Sequence, residues 1–376
     1  MPATLASEFG VGYPIFAFSH CRDVVAEVSR RGGFGVYGAA SHTVDELDTE
    51  LDWIDEHSGG QPYGVDVLLP ARTADTGTLD PDQLRAELAK LIPEEHRKFV
   101  RQVLEENGIA TRPIDAPFKY TGNLIITAAG TLPMIDIILG HQKCKFFVSA
   151  LGTPRPDVIR RFHDAGVKVG ALAGNVQHAV RHVQGGVDIV VAQGTEAGGH
   201  TGEISTMVLT PDVVDAVAPA PVLAAGGIGT GRQVAAALAL GAKGVWTGSI
   251  WLTVTEAATT EAERAALIAG RPGDTVRSRS MTGKPVRQLR STWTDAWSRP
   301  DAPPALEIPL QMMLVEDALA DDVPNRGAAA GLAKPIVGQI VGRMTAVRSV
   351  REVLDDLVAE LVTTLAAMPD ILTSDQ

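Results

Sequence analysis

The chain has 376 residues, of which 45% are hydrophobic and 21% are charged, and this balance excludes an intrinsically disordered protein. Its net charge is −12 and no block of lysine or arginine occurs, which argues against nucleic acid or an anionic membrane surface as the main partner. Two cysteines cannot build a disulfide framework, every apolar run is too short to cross a bilayer, and the first basic residue is Arg22, so we expect a soluble cytoplasmic protein without a secretory signal.

Short apolar segments alternate with amphipathic segments from Tyr13 to Thr247. The predicted strands are Tyr13–Phe18, Phe34–Tyr37, Val65–Leu69, Lys145–Ser149, Val167–Leu172, Asp188–Ala192, Pro221–Ala225 and Gly244–Thr247. The predicted helices between them are Val24–Arg30, Val44–His57, Leu132–Leu139, Pro156–Ala165, Asn175–Val183, Pro211–Ala216 and Arg232–Leu240. Such alternation requires a parallel sheet with right-handed crossovers, and eight units close a (β/α)8 TIM barrel. An open doubly wound α/β sheet is the alternative.

Two regions depart from this alternation. Residues 70–120 are a predicted helical insertion after the third strand, with two amphipathic helices that form either a lid over the site or a decoration or oligomer contact. Residues 1–250 are thus predicted to form the barrel domain, and residues 251–376 a helical cover packed on it. The cover is predicted to contain helices at Glu256–Ala269 and Val350–Met368, with a loop at Thr275–Pro304.

Trp293 and Trp297, within this loop, are predicted to pack the C-terminal cover rather than to stack on a ligand.

The most informative stretch is DIVVAQGTEAGGHTG, from Asp188 to Gly202. A strand suited to burial on both faces ends at Gln193, and a loop with four glycines follows, which would let a flat ligand lie against the backbone. His200 is the only group in the loop that titrates near neutral pH. We therefore predict a functional loop, although a tight turn with a solvated histidine is the alternative.

Two further glycine-rich stretches follow the last two strands: LAAGGIGTG at Leu223–Gly231 and GVWTGS at Gly244–Ser249. Their backbone N–H groups, with the positive end of the helix that begins at Arg232, predict a phosphate site of the kind found after strands seven and eight of barrels. A dinucleotide fingerprint is the rival interpretation. It is disfavoured because the glycine spacing is wrong and position 246 is tryptophan.

Together with PIFAF near the start and GGFGV at the second strand, these motifs resemble the nitronate monooxygenase family, also called 2-nitropropane dioxygenases. The resemblance covers most of Tyr13–Trp251 and, weakly, VGQIVG near Gly338. It implies non-covalent FMN, a catalytic His200 and no metal. The implied FMN-binding residues are Ala17, Phe18, Ser19, Asp66, Gln193, Gly194, Gly198, Gly199, Gly226, Gly227, Thr247, Gly248 and Ser249.

The resemblance also implies a reaction, in which a nitroalkane or alkyl nitronate is oxidised by O2 to a carbonyl compound and nitrite. His200 would remove the α-proton, or as imidazolium would stabilise the nitronate anion. Enoyl and quinone reductases share these motifs, so an NAD(P)H-dependent flavin reductase and a catalytically silent flavin-binding protein stay as alternatives. One departure from the family is Asp66, where asparagine is often found beside the flavin. The change matters because an amide can donate a hydrogen bond to the flavin, whereas a carboxyl group can do so only when protonated.

Weaker signals have simpler interpretations. His178 and His182 are four residues apart on a predicted helix, but without a third ligand we expect a solvated surface pair rather than a metal site. Glu196 and His200 are separated by flexible glycines, which is poor geometry for metal ligation. Cys21 beside His20 is more typical of a structural cysteine than of a reactive thiol. A homo-oligomer remains possible.

Overall fold

The computed structural model describes residues 4–39, 42–68, 81–111, 128–319 and 332–368. Its strands are β1 Ile15–Ser19, β2 Phe34–Gly38, β3 Tyr63–Val67, β4 Cys144–Ser149, β5 Lys168–Ala173, β6 Ile189–Gln193, β7 Gly199–His200, β8 Val222–Ala225, β9 Gly244–Thr247, β10 Thr275–Ser278 and β11 Val286–Leu289. Eight of them, in the order β1-β2-β3-β4-β5-β6-β8-β9, form a closed barrel, and β1 pairs in parallel with both β2 and β9. The predicted (β/α)8 barrel is confirmed, and the open sheet is wrong.

Helices cover the outside of the barrel and continue beyond it. Those described are α1 Leu5–Glu8, α2 Arg22–Arg30, α3 Val44–His57, α4 Pro81–Lys90, α5 Glu94–Glu106, α6 Ala128–Gly140, α7 Pro156–Asp164, α8 Val176–Gln184, α9 Thr206–Val217, α10 Gly231–Ala239, α11 Glu261–Ala269, α12 Thr292–Ala296, α13 Leu310–Ala318 and α14 Val350–Ala367. Across the described ranges, no helix is long and apolar enough to cross a membrane.

The barrel interior is a packed aromatic and aliphatic core. Phe16, Phe34 and Phe146 lie inside it with ring centroids 4.9–6.2 Å apart. Phe9, just after α1, adds a fourth ring 4.7 Å from Phe34. These residues are almost fully buried. The centre is therefore a filled core rather than a pore, and a ligand must bind at the strand ends, as is usual for this fold.

The predicted insertion contains two amphipathic helices, α4 and α5, within its described residues. The apolar face of α5 packs against the region after the barrel, where the centroids of Phe99 and Trp297 are 5.1 Å apart. Trp293 is fully buried in the same cluster. Both tryptophans thus pack within the protein, as predicted. The remainder of 70–120 and the end of the predicted third strand at Leu69 lie outside the described residues.

The region after the barrel corrects two predictions. Thr275–Pro304 is not a loop, because it contains the antiparallel hairpin β10–β11 and the short helix α12. Each strand has only four residues and no apolar–polar alternation, so no strand period was visible in the sequence. The predicted helix at Glu256–Ala269 begins five residues later, at Glu261, because Thr260 and Glu263 form a capping box there.

Candidate functional site

Three side chains expected beside the ligand point to the carboxyl end of the barrel. Phe18 stacks on the buried Trp246 with a centroid distance of 5.9 Å. Gln193 follows Val191 by two residues on β6, so it shares the inward face of that strand, and Asp66 has the corresponding position on β3. The structure thus brings these three together at one end of the lumen.

Ala17 and Ser19 are placed differently from their neighbour Phe18. The side chain of Ala17 is fully buried in the outer layer between barrel and helices, so only its backbone can face a ligand. The Ser19 hydroxyl accepts a hydrogen bond from the backbone N–H of Cys21 at 3.1 Å, just before α2 begins. Ser19 therefore has a local structural role, with its hydroxyl hydrogen still available.

His200 lies on β7 and is held by the hairpin β10–β11. His200 pairs with Val286 in antiparallel register, and its Nε2 is 2.8 Å from the Thr282 hydroxyl at the hairpin turn. Burial, together with the nearby positive charge of Lys284, lowers the pKa of His200 to about 4. The imidazole is therefore neutral at pH 7, with Nε2 engaged and Nδ1 the nitrogen left to meet a substrate.

Two arginines of the hairpin fix the loop around His200, and the sequence analysis missed both. The buried Arg287 donates from Nε to the Thr195 carbonyl oxygen at 2.7 Å. Arg277 donates to the Thr201 carbonyl oxygen at 3.1 Å. The available signal was the β-branched residues that open the short segments TVRS and VRQL, which favour strands over a loop and so place the arginines on strands.

Two glycines of the loop make room for other parts of the chain, not for the flat ligand that the sequence predicted. A Cβ on Gly194 would lie 2.1 Å from the Thr206 hydroxyl oxygen, and one on Gly198 would lie 2.8 Å from the backbone nitrogen of Gly338. These two glycines admit the chain's own backbone and side chains. Gly199 has a φ of +78°, which favours glycine, and only a side-chain methyl carbon 3.9 Å away would meet its Cβ. Gly199 is thus the open position of the loop.

The loop after β8 presents unpaired backbone donors. Gly226 and Gly227 have φ values of +101° and +69°, and their N–H groups donate to no other atom of the described chain. Gln233 fixes the loop, because its amide donates to the Gly227 carbonyl oxygen and accepts from the Gly229 N–H. The N–H of Gly248, after β9, is likewise unpaired among the described residues. These donors suit an anion.

The positive end of α10, predicted to assist the phosphate, is already occupied. Glu360 of α14 accepts from the Gly231 N–H at 2.7 Å and pairs with Arg232 at 2.6 Å. A Cβ on Gly231 would lie 2.2 Å from the Leu361 nitrogen, so α14 packs directly on this helix start. The prediction that the N-terminus of α10 completes the phosphate site is therefore wrong, and the loop N–H groups must supply the donors.

Thr247 and Ser249 also have partners within the protein. The buried Thr247 hydroxyl donates to the Phe16 carbonyl oxygen and accepts from the Trp251 indole, so its side chain is not free for a phosphate. Ser249 Oγ accepts from the Gly338 N–H at 2.9 Å, which leaves its hydroxyl hydrogen to donate. Ser249 therefore remains available to an anion, and Thr247 supports the strand.

The weaker candidates now have definite surroundings. His182 is buried and bonds to Thr153 and to the Leu172 carbonyl oxygen, so the prediction of a solvated pair with His178 is wrong for His182. Glu196 accepts from the N–H and hydroxyl of Thr206 at the start of α9, which makes it a helix cap rather than a metal ligand.

Glycine at position 38 makes room for the His20 ring. Its Nδ1 donates to the Gly38 carbonyl oxygen at 2.8 Å, and a Cβ on Gly38 would lie 2.6 Å from that nitrogen. Desolvation of the ring lowers the pKa of His20, which this hydrogen bond partly offsets, although the residue as a whole is exposed. A second neutral imidazole thus lies at the end of β1. The signal that would have revealed it is the glycine at the end of the neighbouring strand.

A closed parallel barrel has, after its last strands, backbone donors that are unpaired within the described ranges, and a half-buried imidazole lies beside them. These are the features of a flavin-dependent barrel oxidoreductase. A family model described as nitronate monooxygenase matches residues 5–360. A Mycobacterium tuberculosis protein named as a monooxygenase is 50% identical over 99% of this chain and 100% of its own length. A Staphylococcus aureus protein named as a nitronate monooxygenase is 30% identical over 78% of this chain and 80% of its own length. The chain belongs to the nitronate monooxygenase family and is an oxidoreductase. Membership of this family implies a flavin cofactor.

Solved structures agree with the fold. The nitroalkane oxidase of Streptomyces ansochromogenes superimposes with a TM-score of 0.77 and 25% identity, covering 96% of this chain and 99% of that one. FabK of Thermotoga maritima gives a TM-score of 0.71 at 22% identity, covering 99% of this chain and 100% of that one. The second likeness concerns the fold alone.

Proposed function

We propose that this protein uses FMN to oxidise alkyl nitronates and nitroalkanes with O2, giving a carbonyl compound and nitrite. The observation that carries the proposal is a half-buried, neutral imidazole at His200 beside loops whose backbone donors are unpaired among the described residues. The names of its relatives in Staphylococcus aureus and Streptomyces ansochromogenes, which refer to nitronates and nitroalkanes, support the same substrate class. The proposed partners are therefore a small nitro compound and O2.

The residues present fit a flavin mononucleotide. The N–H groups of Gly226, Gly227 and Gly248, with the Ser249 hydroxyl, would hold the phosphate. The Gln193 amide, which has no hydrogen-bond partner among the residues that the structure describes, and the Phe18 ring would lie beside the isoalloxazine, with Gly199 giving it room. FMN, when bound, supplies the redox chemistry by taking electrons from the substrate and passing them to O2.

His200 is proposed as the base for nitroalkane substrates. Because its pKa is lowered to about 4, the imidazole is unprotonated at neutral pH and can accept an α-proton. It is a weaker base than an ordinary histidine, so the transfer depends on the stabilisation that the nitronate anion gives to the imidazolium. The Thr282 hydroxyl orients the ring by contacting Nε2. Once Nδ1 has taken the proton, the cation lies beside the nitronate anion it has generated, and the pair stabilise each other.

Anaerobic mixing tests the proposal directly. Purified protein loaded with FMN is mixed with propyl nitronate, with 1-nitropropane, with NADH and with NADPH, and the flavin absorbance is followed. We expect propyl nitronate to bleach the flavin and readmitted O2 to yield nitrite. Rapid bleaching by a nicotinamide alone would instead establish a flavin reductase. Bound flavin that none of these donors reduces would identify a flavin-binding protein without turnover.

Two variants separate the role of His200 from general damage. His200→Asn should lower the rate with 1-nitropropane by about 10²–10⁴-fold, the usual contribution of a positioned base, and affect propyl nitronate less because that anion has already lost its α-proton. His178→Asn, on the exposed surface of α8, is the matched control and should leave both rates unchanged. Equal losses with the two substrates in His200→Asn would contradict the base role.

A further inference from the structure

Asp66 is an acidic residue on the inner wall of the barrel. On β3, Val65 and Val67 belong to the outer core between strands and helices, so the residues between and before them face inward. Gly64 confirms this direction, because a Cβ there would lie 3.1 Å from the Phe34 ring inside the barrel. Asp66 is therefore the last inward residue of β3 before the mouth.

Among the described residues, no group around Asp66 compensates a negative charge. Its register partners are Gly38 on β2 and Val148 on β4, neither of which has a polar side chain. The residue is 4% exposed, and its carboxyl group makes no hydrogen bond or ion pair with the described chain. The titratable group next to Gly38 is His20 from β1, whose Nδ1 is turned to the Gly38 carbonyl oxygen.

Burying an unpaired carboxylate costs several kcal/mol, and such a group keeps its proton instead. Burial accordingly raises the pKa of Asp66 well above its ordinary range, and no hydrogen bond or charge from the described part of the chain opposes it. A neutral carboxylic acid offers an O–H donor and a C=O acceptor side by side, as a primary amide does. An ionised carboxylate offers acceptors only.

We propose that Asp66 is a protonated hydrogen-bond donor that recognises the pyrimidine edge of the flavin ring, where an N–H lies beside carbonyl oxygens. This inference rests on the proposed FMN function. The Asp66 O–H donates to a ring carbonyl, and its C=O accepts from the ring N–H. Ionisation would turn the donor into a second acceptor facing a carbonyl, so deprotonated protein binds the flavin more weakly. Flavin affinity is thereby linked to the proton on Asp66.

Three variants test this with FMN affinity, measured by quenching of flavin fluorescence from neutral to alkaline pH. In the wild type, affinity should fall about tenfold per pH unit above the pKa of Asp66. Asp66→Asn keeps the donor and acceptor without a titratable proton, so it should match the wild type at neutral pH and lose this pH dependence. Asp66→Leu should bind at least about tenfold more weakly at neutral pH. Asp52→Asn, on the exposed side of α3, should behave as the wild type does.

The ratio of wild-type to Asp66→Asn affinity cancels the titration of FMN itself. Tighter binding by Asp66→Asn at neutral pH, or equal pH dependence in the two proteins, would overturn the proposal. Infrared difference spectra give a second readout, since the wild type should show a protonated carboxyl band that Asp66→Asn lacks. If no protein binds FMN, the proposed function fails, whereas an absent band refutes the protonation of Asp66 by itself.

Discussion

Neutral His200 predicts a specific loss of stability at acidic pH. The folded protein holds its pKa at about 4, against an ordinary value of 6.5, because the buried ring is desolvated. The unfolded chain therefore binds the proton more readily, so His200 reduces stability progressively as the pH falls from 6.5 to 4. Above the unfolded value the ring is neutral in both states and has no effect.

The size follows from the two pKa values. With about 1.36 kcal/mol per pKa unit, the proton-linked loss is about 1.4 kcal/mol at about pH 5.5 and about 3 kcal/mol at about pH 4, as an upper value for this partly accessible ring. His200→Gln removes the titration and retains polarity. Relative to this variant, the unfolding free energy of the wild type should fall by up to about 1.4 kcal/mol between about pH 7.5 and about pH 5.5.

Urea unfolding at the two pH values measures the difference. Comparing the wild type with His200→Gln cancels the other titrating groups, including His20 and His182, whose pKa values burial also lowers. His178→Gln, at an exposed position, serves as a control that should shift the pH dependence much less. Identical pH dependence in the wild type and His200→Gln would refute the claim that the folded site keeps this ring neutral.

Three further changes probe the surrounding structure. Gly198→Ala should destabilise the fold by about 1–3 kcal/mol in chemical denaturation, because its Cβ meets backbone, whereas Gly273→Ala, with nothing within 4 Å, should be neutral; equal effects would contradict the packing argument. Glu360→Ala removes the acceptor for the Gly231 N–H and should lower the free energy of unfolding by about 0.5–2 kcal/mol. An unchanged melting temperature would contradict a stabilising role for this cap. Trp293→Phe removes one of two hydrogen bonds that the Ser280 carbonyl accepts, since Gln311 supplies the other, and should cost about 0.5–1.5 kcal/mol in urea unfolding; unchanged stability would show that the indole bond contributes nothing.

The barrel could be predicted because its signals are local. Each strand is a short apolar run, and period and spacing alone imply eight parallel units, as the closed order of strands confirms. The insertion helices were equally visible, since the apolar face of α5 repeats at helical spacing. Phe18, Asp66 and Gln193 could be placed at the mouth because each ends a strand on its inward face.

The missing parts of the site depend on contacts between distant residues. Thr282 contacts His200 across 82 positions, and Gly338 reaches Ser249 across 89, with no local pattern to announce either bond. Glu360 neutralises the start of α10 from a helix 128 or 129 positions away, so the phosphate prediction gave that helix end a role it does not have. Glycines were recognised correctly as close approaches, but composition could not tell a ligand from the chain's own backbone.

The C-terminal contacts have a consequence for the order of synthesis. The His200 loop is fastened by the hairpin turn at Thr282 and by Gly338 and Gln339, which bond to Ser249 and to the Glu196 carbonyl oxygen. All eight strands of the barrel leave the ribosome before any of these three residues does. A nascent chain can thus complete its barrel while the loop that carries His200 is still unsecured, and this loop is fixed only after residues 282–339 have been synthesised.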